Sequence, residues 1–327
     1  MQGMVRTVTG DIPAESLGIT LIHEHLYTDL RPLRGRDEVP VPSADVLAAN
    51  LPLLISARQA GITAMAECTP AGIGRTPDLY RRHSLESGVH IIAATGLYKE
   101  PLLPRIAYEW SIEKLADWMI AEIEIGMIRG TAGPTEPDVP APMVDAPKAG
   151  LIKLASSDSG LQEVEAKTLR AALKAAAATG APIVSHSPNS AAALAQLDII
   201  DAEGGDPSRF VVVHANAEPD FRRHLEIARR GAYLEYDAIG ADSDDSMVTL
   251  VKRLLDAGYE YQTLLSQDVC GWIVEWPSSA HLANTRRFSY IVTDFLPKLR
   301  QAGVSNEKIR SMLVENPRRL LAFAVPC

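Results

Sequence analysis

The sequence predicts an α/β protein that folds as a single-domain (β/α)8 TIM barrel with a small N-terminal hairpin. Eight short runs rich in β-branched residues are separated by helical patterns between residues 18 and 268. Such alternation requires parallel strand pairing, and eight units close the sheet into a barrel. The chain has 327 residues, 46% of them hydrophobic, which is enough to fill one core of this size. Residues 1–327 are therefore expected to form one domain.

The strands are predicted from their short apolar runs. Val5, Thr7 and Thr9 alternate with other residues before a Gly-Asp pair, which predicts a hairpin in residues 1–17 below the barrel. The barrel strands are predicted at residues 18–25, 62–67, 89–95, 151–154, 182–186, 210–214, 231–237 and 263–268. Runs this short and apolar are typical of parallel strands that are covered on both faces.

The helices are predicted from capping residues and composition. Ser43 is expected to be the N-cap of the first helix, and Gly61 ends it. Later helices are predicted to begin near residue 76 and to cover 111–125, 161–178, 190–202, 220–230 and 247–257. A long loop at 269–285 precedes two closing helices, the second of which begins at Asn316.

The segment 130–150 is the most irregular part of the chain and contains five prolines. The strand and helix alternation resumes directly after it, so we interpret it as a loop inserted in the barrel rather than as a domain linker. Because it connects a helix to a strand, we expect it at the face of the barrel away from the active site.

Charge and composition exclude several classes of protein. The net charge is −9, from 41 acidic and 32 basic residues, and no basic block is present, which argues against a nucleic-acid partner. No apolar run approaches the ~20 residues that span a bilayer, so we expect no membrane insertion and a cytoplasmic protein. The three cysteines are too scattered for a disulfide framework and are expected to be free thiols.

His23 and His25 stand one residue apart at the end of the first predicted strand. Residues i and i+2 of a strand share a face, so both imidazoles can point at one metal ion. The alternative is that one histidine caps the strand while the other faces solvent. The candidate ligands at the ends of other predicted strands favour the metal-binding interpretation.

Further candidate ligands end four other predicted strands, and they are Lys153, His186, His214 and Asp268. A barrel gathers the C-terminal ends of its strands around one pocket, so these distant residues become neighbours. Imidazole and carboxylate ligands suit zinc, manganese, cobalt or iron. The remaining histidines do not fit this pattern: His83 and His224 are expected on helix surfaces, His90 at a strand start and His281 in the 269–285 loop.

Lys153 needs a separate explanation, because a protonated amine would be repelled by nearby cations. A neutral lysine, or one carboxylated by CO2 to an anionic carbamate that bridges two metals, would be compatible with the site. The alternative is a lysine inside the barrel that is paired with a carboxylate.

Together these residues resemble the binuclear branch of the amidohydrolase superfamily. The narrower resemblance is to the phosphotriesterase family, including its phosphotriesterase-like lactonases, and it runs from strand one to the last helix. The motifs that carry it are GITLIHEH at 18–25, TPAGIGR at 69–75, Ile152-Lys153, Ser266-Gln267-Asp268 and ENPRRL at 315–320.

The resemblance implies two divalent metal ions, most simply zinc, with cobalt, manganese or iron as alternatives. His23, His25 and Asp268 are implied to hold the more buried metal, and His186 and His214 the more exposed one. Carboxylated Lys153 would bridge them together with a hydroxide that attacks the substrate. Asp268, the second catalytic residue with Lys153, would accept the proton and pass it to the leaving group.

The chain departs from the family pattern after strand seven. The stretch 235–240 lacks the histidine of organophosphate-degrading members and the arginine of some lactonases, which argues against a dedicated phosphotriesterase. The 130–150 segment is also longer than the usual connection to the lysine.

Substrate contacts are predicted on the loops that follow the strands. Trp272 and Trp276 would suit an acyl chain, or else pack under the 269–285 loop or form a dimer contact. Tyr98 resembles the family tyrosine near the exposed metal. Arg75 could bind substrate, although a structural ion pair is the more common use of such a residue.

These observations predict a metal-dependent hydrolase that opens lactones, with N-acyl-homoserine lactones and quorum quenching as the leading interpretation. A phosphotriesterase or carboxylesterase, a ligand-binding metal barrel without turnover, and a metal-dependent lyase are the alternatives. We expect a small-molecule partner and a homodimer.

Overall fold

Eight parallel strands form the central sheet of the protein, which a computed structural model describes for residues 3–31, 40–128, 130–131, 145–274 and 287–325. The strands of the described chain are β1 Met4–Thr7, β2 Gly10–Pro13, β3 Ile19–Glu24, β4 Thr28–Asp29, β5 Ile62–Glu67, β6 His90–Gly96, β7 Leu151–Ala155, β8 Ile183–His186, β9 Phe210–Val213, β10 Tyr233–Tyr236, β11 Thr263–Leu265 and β12 Ile273–Val274.

The barrel sheet runs in the order β11-β10-β9-β8-β7-β6-β5-β3, and every pair in it is parallel. Its two end strands meet because the backbone N–H of Asp268 donates to the carbonyl of His23, 3.2 Å away. The Ser266 hydroxyl also lies 3.0 Å from the backbone nitrogen of His23. The predicted (β/α)8 barrel is confirmed as a nearly closed ring of eight strands.

Helices pack around this ring, most of them between successive strands. They are α1 Ser43–Gln59, α2 Pro77–Ser87, α3 Ile106–Glu109, α4 Ile112–Glu124, α5 Glu163–Thr179, α6 Ser190–Ala202, α7 Phe221–Arg229, α8 Asp244–Asp256, α9 Leu296–Gln301, α10 Asn306–Arg310 and α11 Asn316–Leu321. Helix α5 has the capping residues that make helix ends predictable. Gln162 and Glu165 form a capping box at its start, and Gly180, in a left-handed conformation, ends it. The N-cap of α1 is Pro42 rather than Ser43, a shift of one residue.

The hairpin β1–β2 is antiparallel and pairs Met4 with Pro13, as the alternation in residues 1–17 predicted. Buried Val5 joins an apolar cluster inside the barrel with Leu17 and Ile22. The backbone N–H of Val8 donates to the carbonyl of Ile91 near the start of β6, so the hairpin covers the N-terminal end of the barrel.

The ends of two strands differ from the prediction. Strand β9 stops at Val213, and His214 follows in a left-handed conformation with φ +61°. Strand β11 stops at Leu265, and Asp268 also has a positive φ, +47°. A positive φ costs conformational free energy in any residue other than glycine, so it persists only where the surrounding structure enforces it. Such residues are common at functional sites.

Two predictions about surface position are wrong. His83 and His224 are both buried, because the faces of α2 and α7 that carry them turn toward the barrel. His224 Nδ1 lies 2.7 Å from the hydroxyl of Tyr236, and His83 Nδ1 lies 2.8 Å from the carbonyl of Leu79. Burial lowers the pKa of both imidazoles, that of His83 to about 4, so we interpret both positions as structural.

The start of the 130–150 segment does not lie where the sequence predicted. The backbone N–H of Gly72 donates to the carbonyl of Thr131, 2.9 Å away. Gly72 belongs to the loop after β5, at the C-terminal end of the barrel, so Thr131 lies at that end. Residues 132–144 lie outside the described chain.

Cys68 and Cys270 are free thiols, as expected, while Cys327 falls outside the described residues. No helix in the described part of the chain is long and apolar enough to cross a membrane.

Candidate metal centre

Six candidate ligands converge at the C-terminal end of the barrel. His23 lies on β3, Lys153 on β7 and His186 at the end of β8. His25 and His214 directly follow β3 and β9, and Asp268 lies three residues after the end of β11. Glycine at position 96 permits the close approach of β6 to β7, because a side chain there would collide with the backbone of Lys153. The expectation that strand ends meet around one pocket therefore holds for these residues.

His23, His25 and Asp268 form the inner ligand group. The two Nε2 atoms of the histidines lie 3.2 Å apart. Oδ1 of Asp268 lies 3.4 Å from Nε2 of His25 and 3.7 Å from Nε2 of His23. Both histidines are buried, whereas the carboxylate of Asp268 is partly exposed and faces the pocket.

His186 and His214 form the outer ligand pair. Nδ1 of His186 lies 2.8 Å from Nε2 of His214, and the two rings meet edge to face. The inner group and the outer pair are connected through Asp237, whose Oδ2 lies 3.1 Å from Nδ1 of His23 and 2.9 Å from Nδ1 of His214. His23, His214 and Asp237 also place ligand-type atoms within 4.8 Å of one another.

Each histidine directs one ring nitrogen into the cluster and is held at the other. Asp237 holds both His23 and His214, and the hydroxyl of Thr69 lies 2.8 Å from Nδ1 of His25. The ammonium of Lys99 lies 3.1 Å from Nε2 of His186. Acceptors such as the Asp237 carboxylate and the Thr69 hydroxyl orient the rings of metal-binding histidines and fix which nitrogen faces the metal.

Lys153 lies between the two groups and is almost completely buried. Its Nζ is 3.1 Å from Nε2 of His23, so a carbamate built on this nitrogen would enter the ligand cluster. The positive charge of Lys153 and, above all, burial lower the pKa of His23 to about 3. His23 is therefore a neutral imidazole, the form that binds a metal.

The charges of the other ligands fit the same role. Burial, with His214 and Lys99 nearby, holds the pKa of His186 well below its usual value. Although burial alone would raise it, the neighbouring histidines hold the pKa of Asp268 well below the ordinary range. Burial alone would lower the pKa of His214, but the buried carboxylate of Asp237, by contrast, raises it. The cluster thus offers neutral imidazoles at His23 and His186 and a charged carboxylate at Asp268.

Glu24, the residue between His23 and His25, fixes the backbone around Asp268. Its Oε1 accepts from the Ser266 hydroxyl (2.8 Å) and the Gln267 N–H (3.1 Å), and its Oε2 accepts from the Val269 N–H (2.7 Å). These hydrogen bonds hold the backbone on both sides of Asp268, the residue with a positive φ. Burial raises the pKa of Glu24 to about 8, and the three donors oppose that shift.

The donor set fits a metal centre better than a hydrogen-bonded cluster. Ring nitrogens face one another at 3.2 and 2.8 Å, where at most one of each pair can carry a proton. Divalent cations bound between these facing nitrogens would resolve both close contacts. Buried Glu235 lies 3.5 Å from the other ring nitrogen of His23, Nδ1, and burial raises its pKa well above the usual range.

The residues predicted to touch substrate have different surroundings. The ring of half-buried Tyr98 lies 5.5 Å from that of His186, beside the outer pair. Arg75 is fully buried and donates to both oxygens of Glu122 at 2.6 and 2.7 Å, which is the structural ion pair left open as the alternative. Trp276 and His281 lie outside the described residues.

Trp272 is 9% exposed and packs in a separate apolar cluster with Tyr27, Val46, Leu47 and Leu79. The loop that carries it is anchored because β12 pairs in parallel with β4. These contacts match the alternative in which Trp272 packs under its loop. We therefore expect this side chain to act on substrate through the position of its loop.

Sequence reasoning missed four residues that support the site: Asp237, Glu24, Thr69 and Lys99. Asp237 follows a barrel strand directly, so the rule that selected the ligands also applied to it. The others carry no such signal, because their roles depend on contacts such as the one between Glu24 and residues more than 240 positions away.

Comparison with known proteins agrees with the family resemblance found in the sequence. Residues 3–321 match the model of the phosphotriesterase family. A phosphotriesterase homology protein of Escherichia coli is 29% identical and covers 92% of this chain and 96% of its own length. An N-acetyltaurine hydrolase of Danio rerio is 27% identical, covering 99% of both chains.

Among solved structures, a mutant of a PTE-like lactonase from Deinococcus radiodurans superposes with a TM-score of 0.84. It shares 29% sequence identity and covers 98% of this chain and all of its own. The chain therefore belongs to the phosphotriesterase family and is a metal-dependent hydrolase that acts on ester bonds.

Proposed function

We propose that this protein opens lactones with two divalent metal ions, and that N-acyl-homoserine lactones are its leading substrates. The observation that carries the proposal is the convergence of the inner group, the outer pair and buried Lys153 on one pocket. The likeness to a lactonase structure and the absence of a histidine from the stretch 235–240 favour a lactone over a phosphotriester.

The residues that would hold the metals divide between the two groups. His23, His25 and Asp268 would hold one ion, His186 and His214 the other, and carboxylated Lys153 would join them, with zinc as the first choice. When bound, two such cations lower the pKa of water and polarise a carbonyl oxygen.

The protein's own residues would then position the substrate and move the proton. Asp268 is charged, partly exposed and within 3.7 Å of both inner histidines, so it can accept a proton and return it to the leaving oxygen. Tyr98, whose burial raises its pKa, would keep its phenolic proton and donate a hydrogen bond to the lactone.

A second candidate substrate class comes from the relatives. Because an N-acetyltaurine hydrolase aligns over 99% of this chain, amide hydrolysis by the same site must be tested beside ester hydrolysis. Phosphotriesters and simple carboxylic esters remain further candidates of the same chemistry.

The deciding experiment is a hydrolysis assay of protein loaded with zinc or cobalt. Lactones of graded acyl length are compared with a phosphotriester, an aryl ester and N-acetyltaurine, and metal content is measured in the same samples. Lactone opening with only trace turnover of the others supports the proposal. Two metals per chain without lactone turnover would refute it, pointing to the amide or to a ligand-binding role.

If the substrate is a signalling lactone, the biological consequence of its hydrolysis is quorum quenching. We propose that the protein acts in the cytoplasm and that it is a homodimer. Size-exclusion chromatography with light scattering checks the dimer. The quenching is checked by growing a signal-producing culture together with cells that express the protein and measuring the concentration of the lactone signal, which should fall.

A further inference from the structure

Lys99 occupies an unusual position at the edge of the metal centre. It follows Tyr98 in the loop after β6, and its side chain is only 17% exposed. Its Nζ lies 3.1 Å from Nε2 of His186 and 5.9 Å from the centre of the Tyr98 ring. The ammonium therefore lies one imidazole ring away from the nitrogen that faces His214.

A cation at this position opposes the function of its neighbour. His186 would ligate a divalent cation through Nδ1, and its Nε2 would then carry the proton and need an acceptor rather than an ammonium. Two like charges separated by one ring also repel each other inside a partly buried site. A lysine in this place is stabilised once an anion joins it.

The carboxylate that now accompanies Lys99 is a weak partner. Asp158 lies 2.8 Å from Nζ, but its side chain is 81% exposed. Ion pairs with a solvated carboxylate contribute little to stability and exchange readily. Asp158 is therefore a solvent-side counter-ion that a better-placed anion can replace.

We propose that Lys99 is the anchor for an anionic group on the substrate, a carboxylate held next to the outer metal position. The protein as a whole carries a net charge of −9, so an anionic substrate gains from a local positive charge at the pocket. The substrate class is then a lactone, or another ester, that bears a carboxylate near the scissile bond. This inference rests on the proposed function for ester hydrolysis, and it adds carboxylate-bearing lactones to the neutral lactones proposed above.

The test compares two γ-butyrolactones that differ only in charge. One bears a carboxylate on the ring carbon next to the ring oxygen, and the other bears the isosteric primary amide. KM for both is measured with wild-type protein and with the Lys99→Met, Lys99→Arg and Asp158→Asn variants, all metal-loaded. The readout is the ratio of the two KM values, so a general change in the site cancels.

Lys99→Met is expected to shift that ratio about 10- to 100-fold against the carboxylate, the range of one charge-assisted hydrogen bond. Lys99→Arg is expected to restore most of it. Asp158→Asn is expected to shift the ratio the opposite way, about 2- to 5-fold, because it removes the competing anion. An unchanged ratio in Lys99→Met, or shifts in the same direction for both sites, would overturn the proposal.

A binding measurement separates this inference from the proposed lactonase activity. Glutarate is titrated calorimetrically into the metal-loaded wild-type protein and into Lys99→Met. Weaker glutarate binding in the variant supports the anion site even if neither lactone is opened, in which case only the lactone assignment fails. Equal binding by both proteins would overturn the anion site.

Discussion

The inner ligand group and the outer ligand pair differ in how they are held. His25 is fixed through Thr69, whose hydroxyl in turn lies 2.7 Å from buried Glu67, and Asp268 is fixed through Glu24. Every one of these supporting side chains is buried.

The outer pair has partners of two kinds. His214 shares buried Asp237 with the inner group, but His186 has Lys99, which pairs with an exposed carboxylate. Buried partners thus hold the inner group, whereas His186 of the outer pair is held by a side chain that reaches toward solvent. We expect the inner metal to be retained and the outer one to exchange.

Replacing Lys153 tests whether the two groups work as one site. Lys153→Ala is expected to lower kcat/KM by at least about 1,000-fold, because loss of a bound cation removes several kcal/mol of transition-state stabilisation. Metal content by mass spectrometry should fall below two ions per chain, and a short carboxylic acid such as acetate should restore part of the activity. Full activity in this variant would end the two-metal model. Lys174→Ala on α5, an exposed lysine, is the matched control.

Asp237→Asn would act on both groups at once, because Asp237 faces Nδ1 of His23 and of His214. Loss of such a partner typically costs 10- to 100-fold in metal affinity. Competition with a chelator measures both metals, and we expect both to weaken. If only one weakens, Asp237 does not connect the groups. Asp242→Asn, in the exposed part of the same loop, serves as the control.

Glu24→Gln separates the groups, since its carboxylate contacts only the backbone and hydroxyl groups around Asp268. An amide cannot accept from donors on both sides, so Asp268 should lose its fixed conformation. We expect kcat to fall about 10-fold with little change in KM, as when a positioning contact is lost. Weaker binding of the outer metal than of the inner one would contradict this assignment. The control is Glu15→Gln at an exposed position.

Trp272→Ala should affect neither ligand group directly. It removes the largest side chain from the cluster that anchors the 269–285 loop, so opening of long-chain lactones should weaken a few-fold more than that of short ones. Trp272→Phe retains most of the packing and should behave like wild type. Thermal unfolding of both variants distinguishes loop loosening from general destabilisation. An equal effect on all chain lengths would remove this loop from the pocket.

Much of the fold and the ligand set follows from local patterns. Strand ends carry the ligands at His23, His25, Lys153, His186 and His214, and parallel strands bring their C-terminal ends together whatever lies between them. The strand period of two places His23 and His25 side by side, and most helix ends lie within two residues of their predicted positions, although α8 begins three residues earlier than predicted.

The barrel, the convergence of the candidate ligands and the chemical nature of their donor atoms could therefore be predicted from local patterns. The contacts between distant elements could not be predicted: which buried carboxylates orient those donors, that His83 and His224 face inward, that Arg75 pairs with Glu122, and that Lys99 lies beside His186. The physical reason is range: periodicity and capping act within a few residues, whereas these contacts join elements whose separation in the chain carries no pattern.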